Sequence, residues 1–263
     1  MFGAHQAPVG HVGTDPRHTT NAPPTDRSND KNGRRESFQN FVYGKYLAMT
    51  AALPTLRQMK QVETKLYWRL LLRRLGAGEG SSSAEELLYL VQVARRTEAR
   101  LIAEIGFNAG CSSYALLRYV PDATVVSFDL GAHASVAVNK KLIDTKFPGR
   151  HTLICGDSRE TVPALARGNP DLRFDLVFID GGHDYEVAHA DVVNMRALSS
   201  DRTALIMDDL VPWQSYGAGP TKAWEEAIGD KLVRQDELFQ DGERVEKTQP
   251  PGDRAWALGR YLS

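Results

Sequence analysis

Five short apolar runs set the strongest constraint on this chain. LIAEIGF (101–107), TVVSFDL (124–130), HTLICGDS (151–158), FDLVFIDGG (174–182) and TALIMDDL (203–210) are each bounded by turn residues. Each is separated from the next by enough chain for a helix. Strands alternating with helical stretches form βαβ units and a parallel sheet. Continuous apolar runs are what strands buried on both faces look like. RAWALGRYL (254–262) reads as a further, C-terminal strand. The expected fold is therefore α/β: a Rossmann-like, doubly wound, mostly parallel sheet with an antiparallel C-terminal strand, preceded by N-terminal helices.

The rest of the chain divides by composition. Residues 1–36 hold Pro8, Pro16, Pro23 and Pro24, three of the seven histidines (His5, His11, His18) and almost no bulky apolar side chains. Such a stretch buries too little surface to offset its chain entropy, and it is read as a disordered tail. Order is expected from about Phe38. Residues 37–83 read as a helical lid or dimerisation segment in which Leu66, Leu70 and Leu71 recur at helical spacing and Pro54 can start a helix. GAGEGSSS (76–83) has the composition of a linker. Ser83 followed by Glu86 is a capping box that opens a helix over about 84–97, and the main domain is read as 84–263.

Composition removes several classes of function. With 32 Lys+Arg against 33 Asp+Glu the net charge is −1, which argues against a dedicated nucleic-acid binder. Two cysteines, Cys111 and Cys155, make no disulfide framework and are expected to be reduced. No apolar run reaches the length of a membrane span, and MFGAHQAPVG lacks the pattern of a secretory leader. The expected setting is the cytoplasm, without a membrane partner.

The chemistry is expected where the strands end. In an open parallel sheet, ligands bind outside the carboxyl ends of the strands, near the point where strand order reverses. Here those ends carry Gly106 to Ser113, then Asp129, then Gly156-Asp157-Ser158, then Asp180-Gly181-Gly182-His183, then Asp208-Asp209. Gly106 and Gly110 allow a tight turn into a helix whose first N–H groups favour an anion. Ser112 adds a hydroxyl. Asp129, about 20 residues beyond Gly110, can accept hydrogen bonds from ribose hydroxyls. A plain strand-to-helix turn is the alternative for the glycines alone, and Asp129 at this distance weighs against it. The spacing is not that of a dinucleotide fingerprint, because Asn108 and Cys111 stand where GxGxxG requires glycine.

Taken in order, AEIGFNAGCSS, FDL, CGDS, FDLVFIDGGHDY and IMDDL resemble the motifs of class I S-adenosylmethionine-dependent methyltransferases, in their small-molecule O-methyltransferase branch. The resemblance covers roughly residues 85–262. It implies that Glu104, Gly106, Asn108 and Gly110 hold the methionine part of the cofactor and that Ser112 contacts its carboxylate. It further implies that Asp129 holds the ribose and that Asp157 and Ser158 lie beside the adenine. Asp180 would also border the cofactor. The metal-dependent members of that branch imply Asp180, Asp208 and Asp209 as ligands of Mg²⁺ or another divalent ion, a role suited to hard oxygen donors. Helix caps and surface carboxylates are the alternative for these three. His183 is placed as general base, with Asp180 beside it in the catalytic pair. Catechol-type relatives carry a lysine there, and a loop-stabilising histidine is the competing reading.

The acceptor is expected to be a hydroxyl on a natural product, sugar or phenol, with Trp213, Tyr216 and Trp224 as candidate walls. Trp224 also fits the core. Phe41, Tyr43, Tyr46 and Trp68 are candidates for a lid, a core or a homodimer contact. Other readings stay open. These are a metal-independent N- or O-methyltransferase using His183, a metal-dependent oxidoreductase or hydroxylase on the same sheet, and a cofactor-binding protein without turnover.

Overall fold

A computed structural model of the chain describes residues 52–75 and 82–263. The expected tail over 1–36, the linker residues 76–81, and Phe41, Tyr43 and Tyr46 lie outside the described residues.

Eight strands form one sheet. They are β1 (Leu101–Ile105), β2 (Thr124–Asp129), β3 (His151–Cys155), β4 (Leu176–Ile179), β5 (Ala204–Met207), β6 (Val233–Gln240), β7 (Glu243–Arg244) and β8 (Ala255–Tyr261). Their order is β3-β2-β1-β4-β5-β8-β6-β7. The first five are parallel, and β8 pairs antiparallel with both β5 and β6. The doubly wound sheet and its antiparallel C-terminal strand are thus as expected. Strand order reverses between β1 and β4, which puts the crevice predicted for such sheets at their carboxyl ends.

Alternate residues of the central strands face two separate cores. Ile102, Leu176, Phe178, Ala204 and Ile206 belong to one apolar cluster. Ala103, Val177, Ile179, Leu205 and Met207 belong to the other. Both faces are covered, so both sets of positions must be apolar, and the strands read as unbroken runs. The first core is roofed by α1 (Leu56–Leu72), α2 (Ala84–Arg96), α3 (Cys111–Tyr119) and α4 (Ala134–Lys146). The second is roofed by α5 (Ser158–Gly168), α6 (Tyr185–Met195) and α7 (Ala218–Gly229).

The early helices start where the caps predict. Thr55 caps α1 in a reciprocal box with Gln58, so Pro54 precedes the cap and lies outside the helix. Ser83 caps α2 in the expected box with Glu86. α1 buries Met59, Val62, Leu66 and Leu70 in the same cluster as α2. Each such side chain contributes about 1.5–3 kcal/mol of burial.

α2 also has a defined direction. Its 13 residues span about 20 Å and lead through a short turn into β1, whose five residues span about 17 Å. Running back along the sheet, α2 therefore begins beside the carboxyl ends of the strands. Among the described residues no helix is long and apolar enough to cross a membrane.

β6 and β7 were not expected. β6 reads VRQDELFQ, with Val233 and Leu238 its buried apolar positions and a bulge between Gln235 and Glu237. Its charges are used laterally. Asp236 pairs with Arg234 and Arg260, and Glu237 with Arg96 and the Tyr89 hydroxyl. A strand held by such pairs carries no apolar period to read.

Candidate functional site

The backbone register sets the site. The residues just past β1, β4 and β5 continue the parallel ladder: Asp180 N–H donates to the Ile105 carbonyl at 2.9 Å, and Asp208 N–H to the Ile179 carbonyl at 3.0 Å. Gly106, Asp180 and Asp208 thereby stand side by side at one sheet edge. Gly106 has φ +96°, and a Cβ there would fall 1.8 Å from the Asp180 carbonyl oxygen. Only glycine allows the two loops to lie this close.

Asp129 is fixed by the glycine turn. One carboxylate oxygen accepts from the N–H groups of Phe107 and Asn108 at 3.0 and 2.9 Å, and the other from Gly131 at 2.7 Å. Asn108 itself has φ +44°, a left-handed conformation that asparagine tolerates better than most residues. Gly110 follows at φ +74° and starts α3. Asp157 caps α5, accepting from Arg159 N–H at 2.9 Å, and its carboxylate pairs with the Arg159 side chain. Ser158 is the first residue of α5.

Glu104 lies deeper. It is fully buried and accepts from the hydroxyls of Ser112, Ser113 (2.5 Å) and Ser127 (2.5 Å). His151 Nε2 closes the group at 2.9 Å from Ser127 Oγ. Burial raises the Glu104 carboxyl above its usual range, against the pull of the three hydroxyls. Burial also lowers His151 to about 4, so its imidazole is neutral at physiological pH. Ser112, expected to face a ligand carboxylate, directs its hydroxyl to Glu104.

A second acidic group lies under β4 and β5. Glu86, Asp180 and Asp208 each offer a carboxylate oxygen, all within 4.8 Å of one another. Glu86 and Asp208 are buried at 1% and 2% exposure. Both Asp208 oxygens and Glu86 Oε1 receive no donor group among the described residues. The other Glu86 oxygen accepts from Ser83 N–H at 3.2 Å, and Asp180 takes a 3.4 Å contact from Ser82 Oγ. Burial raises all three carboxyls. Repulsion from Asp208 adds to it at Glu86 and Asp180, while Asp208 is raised to about 7 by burial and Asp209, against a hydrogen bond shared with Glu86. Burial alone would lower the Arg254 guanidinium nearby, but Asp208, Glu86, Asp209 and Asp180 carry it up.

Asp209 faces elsewhere. It sits at φ +60°, and its Oδ2 lies 3.0 Å from His183 Nε2. His183 is 39% exposed on its side chain and stands 5.9 Å from the Tyr216 ring. Of the three expected cation ligands, the structure thus brings Asp180 and Asp208 together with Glu86 and sets Asp209 against the histidine.

Three comparisons with known proteins bear on this edge. Residues 103–210 match a family model described as a methyltransferase domain. Those residues run from β1 to just past β5 and carry every strand end described above except Arg254 and Glu86. This stretch, less than half of the chain, is similar to methyltransferase domains.

Its relatives in sequence are O-methyltransferases. A provisionally named O-methyltransferase from Mycobacterium sp. (strain JLS) is 33% identical over 109 residues, 41% of this chain and 47% of that protein. Another from strain KMS is 27% identical over 167 residues, 62% of this chain and 73% of that protein. The match therefore spans less than half the length of the first relative. In fold, the chain resembles an O-methyltransferase from Bacillus cereus solved in complex with SAH. The TM-score is 0.60 at 17% identity, over 84% of this chain and 97% of that one.

The aromatic residues expected at the site divide. Trp224 is buried and donates to Gln235 Oε1 at 2.8 Å. Trp213 Nε1 donates to the Gly252 carbonyl at 2.7 Å, and the Tyr216 hydroxyl to the Asp253 carbonyl at 2.6 Å. These two tie down the segment that delivers Arg254. Trp68 is 57% exposed on α1. Sequence reasoning passed over Glu86 as a site residue because the capping box already explained it. It passed over Arg254 because nothing in a strand start marks an inward guanidinium.

Proposed function

We propose that the chain transfers a methyl group from S-adenosylmethionine to a hydroxyl of a small molecule, a natural product, sugar or phenol, assisted by a divalent cation. The observation that carries this reading is the meeting of two unlike half-sites at one sheet edge. A glycine turn is braced by Asp129, and beside it lies a buried carboxylate group with unpartnered oxygens.

The cofactor half suits a nucleoside joined to an amino acid. Asp129 is held by three N–H donors, so its remaining lone pairs point in a fixed direction, as recognition of ribose hydroxyls requires. Asp157 and Ser158, at the start of α5, border the adenine. Glu104 acts from below. Its serine partners lock the start of α3, and so the loop that meets the methionine part.

In the reaction the acceptor hydroxyl loses its proton and its oxygen attacks the methyl carbon. The carbon–sulfur bond breaks and its electron pair stays on sulfur, leaving a neutral thioether. His183 is the group placed to take the proton. Asp209 orients the imidazole through its 3.0 Å contact with Nε2. The buried oxygens of Asp208, Glu86 and Asp180 are hard donors, and they fit a divalent ion. When bound, such an ion supplies charge stabilisation to the acceptor oxygen as the proton leaves. The acidic edge also favours a sulfonium over a neutral thioether, which assists cofactor binding and product release.

The His183–Asp209 pair supports a second reading, metal-independent transfer, because it is complete without an ion. Calorimetric titration with SAH tests the cofactor assignment. Binding in the micromolar range is expected, and Asp129→Ala should weaken it about 10–100-fold, the scale of charge-assisted bonds lost. No SAH binding at millimolar concentration would sink the reading. Methylation of an acceptor panel with and without EDTA separates the two mechanisms.

A further inference from the structure

The unexpected member of the acidic group is Glu86. It comes from α2, outside the stretch 103–210 that matches the methyltransferase family model. Its position follows from the fold, since α2 begins beside the carboxyl ends of β4 and β5. Its side chain is shared between two tasks. Oε2 accepts from Ser83 N–H and closes the capping box, while Oε1 is buried and receives no donor group among the described residues. The Glu86 carboxyl lies with those of Asp180 and Asp208, within hydrogen-bond reach of Asp208 when one of the two holds a proton. Both Asp208 oxygens likewise receive no donor group among the described residues. A helix cap needs only one of the Glu86 oxygens and does not need burial among other carboxylates.

Charge and spacing both point to a cation. Glu86, Asp180, Asp208 and Asp209 face one guanidinium, that of Arg254, and Asp209 is engaged by His183. Two buried carboxylates and one half-buried one around one cationic side chain leave a deficit of positive charge. Oxygens on opposite sides of a divalent ion lie about 4–5 Å apart, from Mg²⁺ to Ca²⁺. The three oxygens here lie within 4.8 Å of one another.

We propose that Glu86 supplies the third carboxylate of the divalent-cation site, beside Asp180 and Asp208, and that Asp209 serves His183 instead. The proposal rests on the metal-assisted reading above and changes its ligand set. It makes the N-terminal helical part of the chain a component of the active centre. It also places the ligand in the first turn of α2, where Glu86 closes the capping box with its other oxygen.

The test is Mn²⁺ binding by the full chain, stripped with EDTA and followed by the electron paramagnetic resonance signal of free Mn²⁺. Glu86→Gln is the decisive variant, because glutamine at this position keeps the capping box while removing the charge. Wild type should bind one Mn²⁺ at this site. Glu86→Gln should bind it at least ten-fold more weakly, and Asp209→Asn should stay within about three-fold of wild type. Ser83→Ala breaks the cap but keeps the carboxylate, and it too should stay within about three-fold. Unchanged binding by Glu86→Gln overturns the proposal. So does a loss in Ser83→Ala or Asp209→Asn as large as in Glu86→Gln. A wild-type chain that takes up no Mn²⁺ at several millimolar also overturns it, and leaves Glu86 and Asp208 as a pair sharing a proton. SAH binding, measured on the same samples, reads the cofactor site separately. Binding of SAH without Mn²⁺ ends the cation proposal alone, and binding of Mn²⁺ without SAH keeps Glu86 and ends the methyl-transfer reading.

Discussion

Glu104 and Asp208 are both buried carboxylates near the same edge of the sheet, yet their surroundings are opposite. Glu104 receives three serine hydroxyls, and His151 completes the network. Asp208 receives none, and its nearest charged neighbours include three more carboxylates. A buried charge whose lone pairs are all matched fixes the elements around it. A buried charge left unmatched raises the free energy of the fold until something binds it. The first arrangement fits a brace under the cofactor loop, and the second fits a receptor for a cation. Between them runs the Gly106–Asp180 contact, which holds both in one frame.

The severest way to break the comparison is Gly106→Ala. Its Cβ would collide with the Asp180 carbonyl at 1.8 Å and would force an unfavourable φ of +96°. A loss of more than about 4 kcal/mol is expected, with little folded protein recovered. A soluble Gly106→Ala chain with wild-type circular dichroism and SAH affinity would mean that the joint is not tight. Glu104→Ala comes next. It strands three buried hydroxyls, and urea unfolding should show a loss of about 3–5 kcal/mol. Asp208→Asn should do the reverse in EDTA. It removes repulsion from a carboxyl already pushed to about 7, and stability should rise by about 1–2 kcal/mol. If both substitutions destabilise equally, the two clusters are of one kind.

The sheet was legible because its strands are buried on both faces. Every residue of LVFI and ALIM is buried, so the apolar run is a direct consequence of the three-layer packing. The capping box at Ser83 was legible because it is local. β6 was not, because lateral ion pairs replace an apolar period. In the site, the strand-end acids were visible as a set, and the parallel register explains why Asp180 and Asp208 meet. What could not be read was how side chains divide among partners. Asp209 turns to His183 through a left-handed backbone angle. Glu86 enters from a helix whose path depends on the whole domain, and Ser112 turns inward to a buried acid. These are tertiary facts, set by packing and not by spacing in the chain.

Asp191 offers the sharpest control, with an effect that pH switches on and off. It lies on α6 at 0% exposure, and burial raises its carboxyl to about 7 against the pull of the Ser158 hydroxyl. It stands outside the group of three. Its folded-state pKa is above the unfolded value near 4, so the folded chain binds this proton more tightly. Its contribution to stability is then fully present below about pH 4 and is lost as pH rises through 7. Asp191→Asn removes that dependence. The variant should match wild type near pH 4 and exceed it by up to about 4 kcal/mol at pH 8, read from urea midpoints. Adding Mg²⁺ should leave this gain unchanged, whereas the gain of Asp208→Asn should shrink or reverse, because the ion stabilises only the chain that keeps the ligand. A gain in Asp191→Asn that is flat with pH would remove burial as its cause. A gain that Mg²⁺ abolishes at both positions would mean that unmatched burial alone, and not the clustering around Asp208, is what an ion senses.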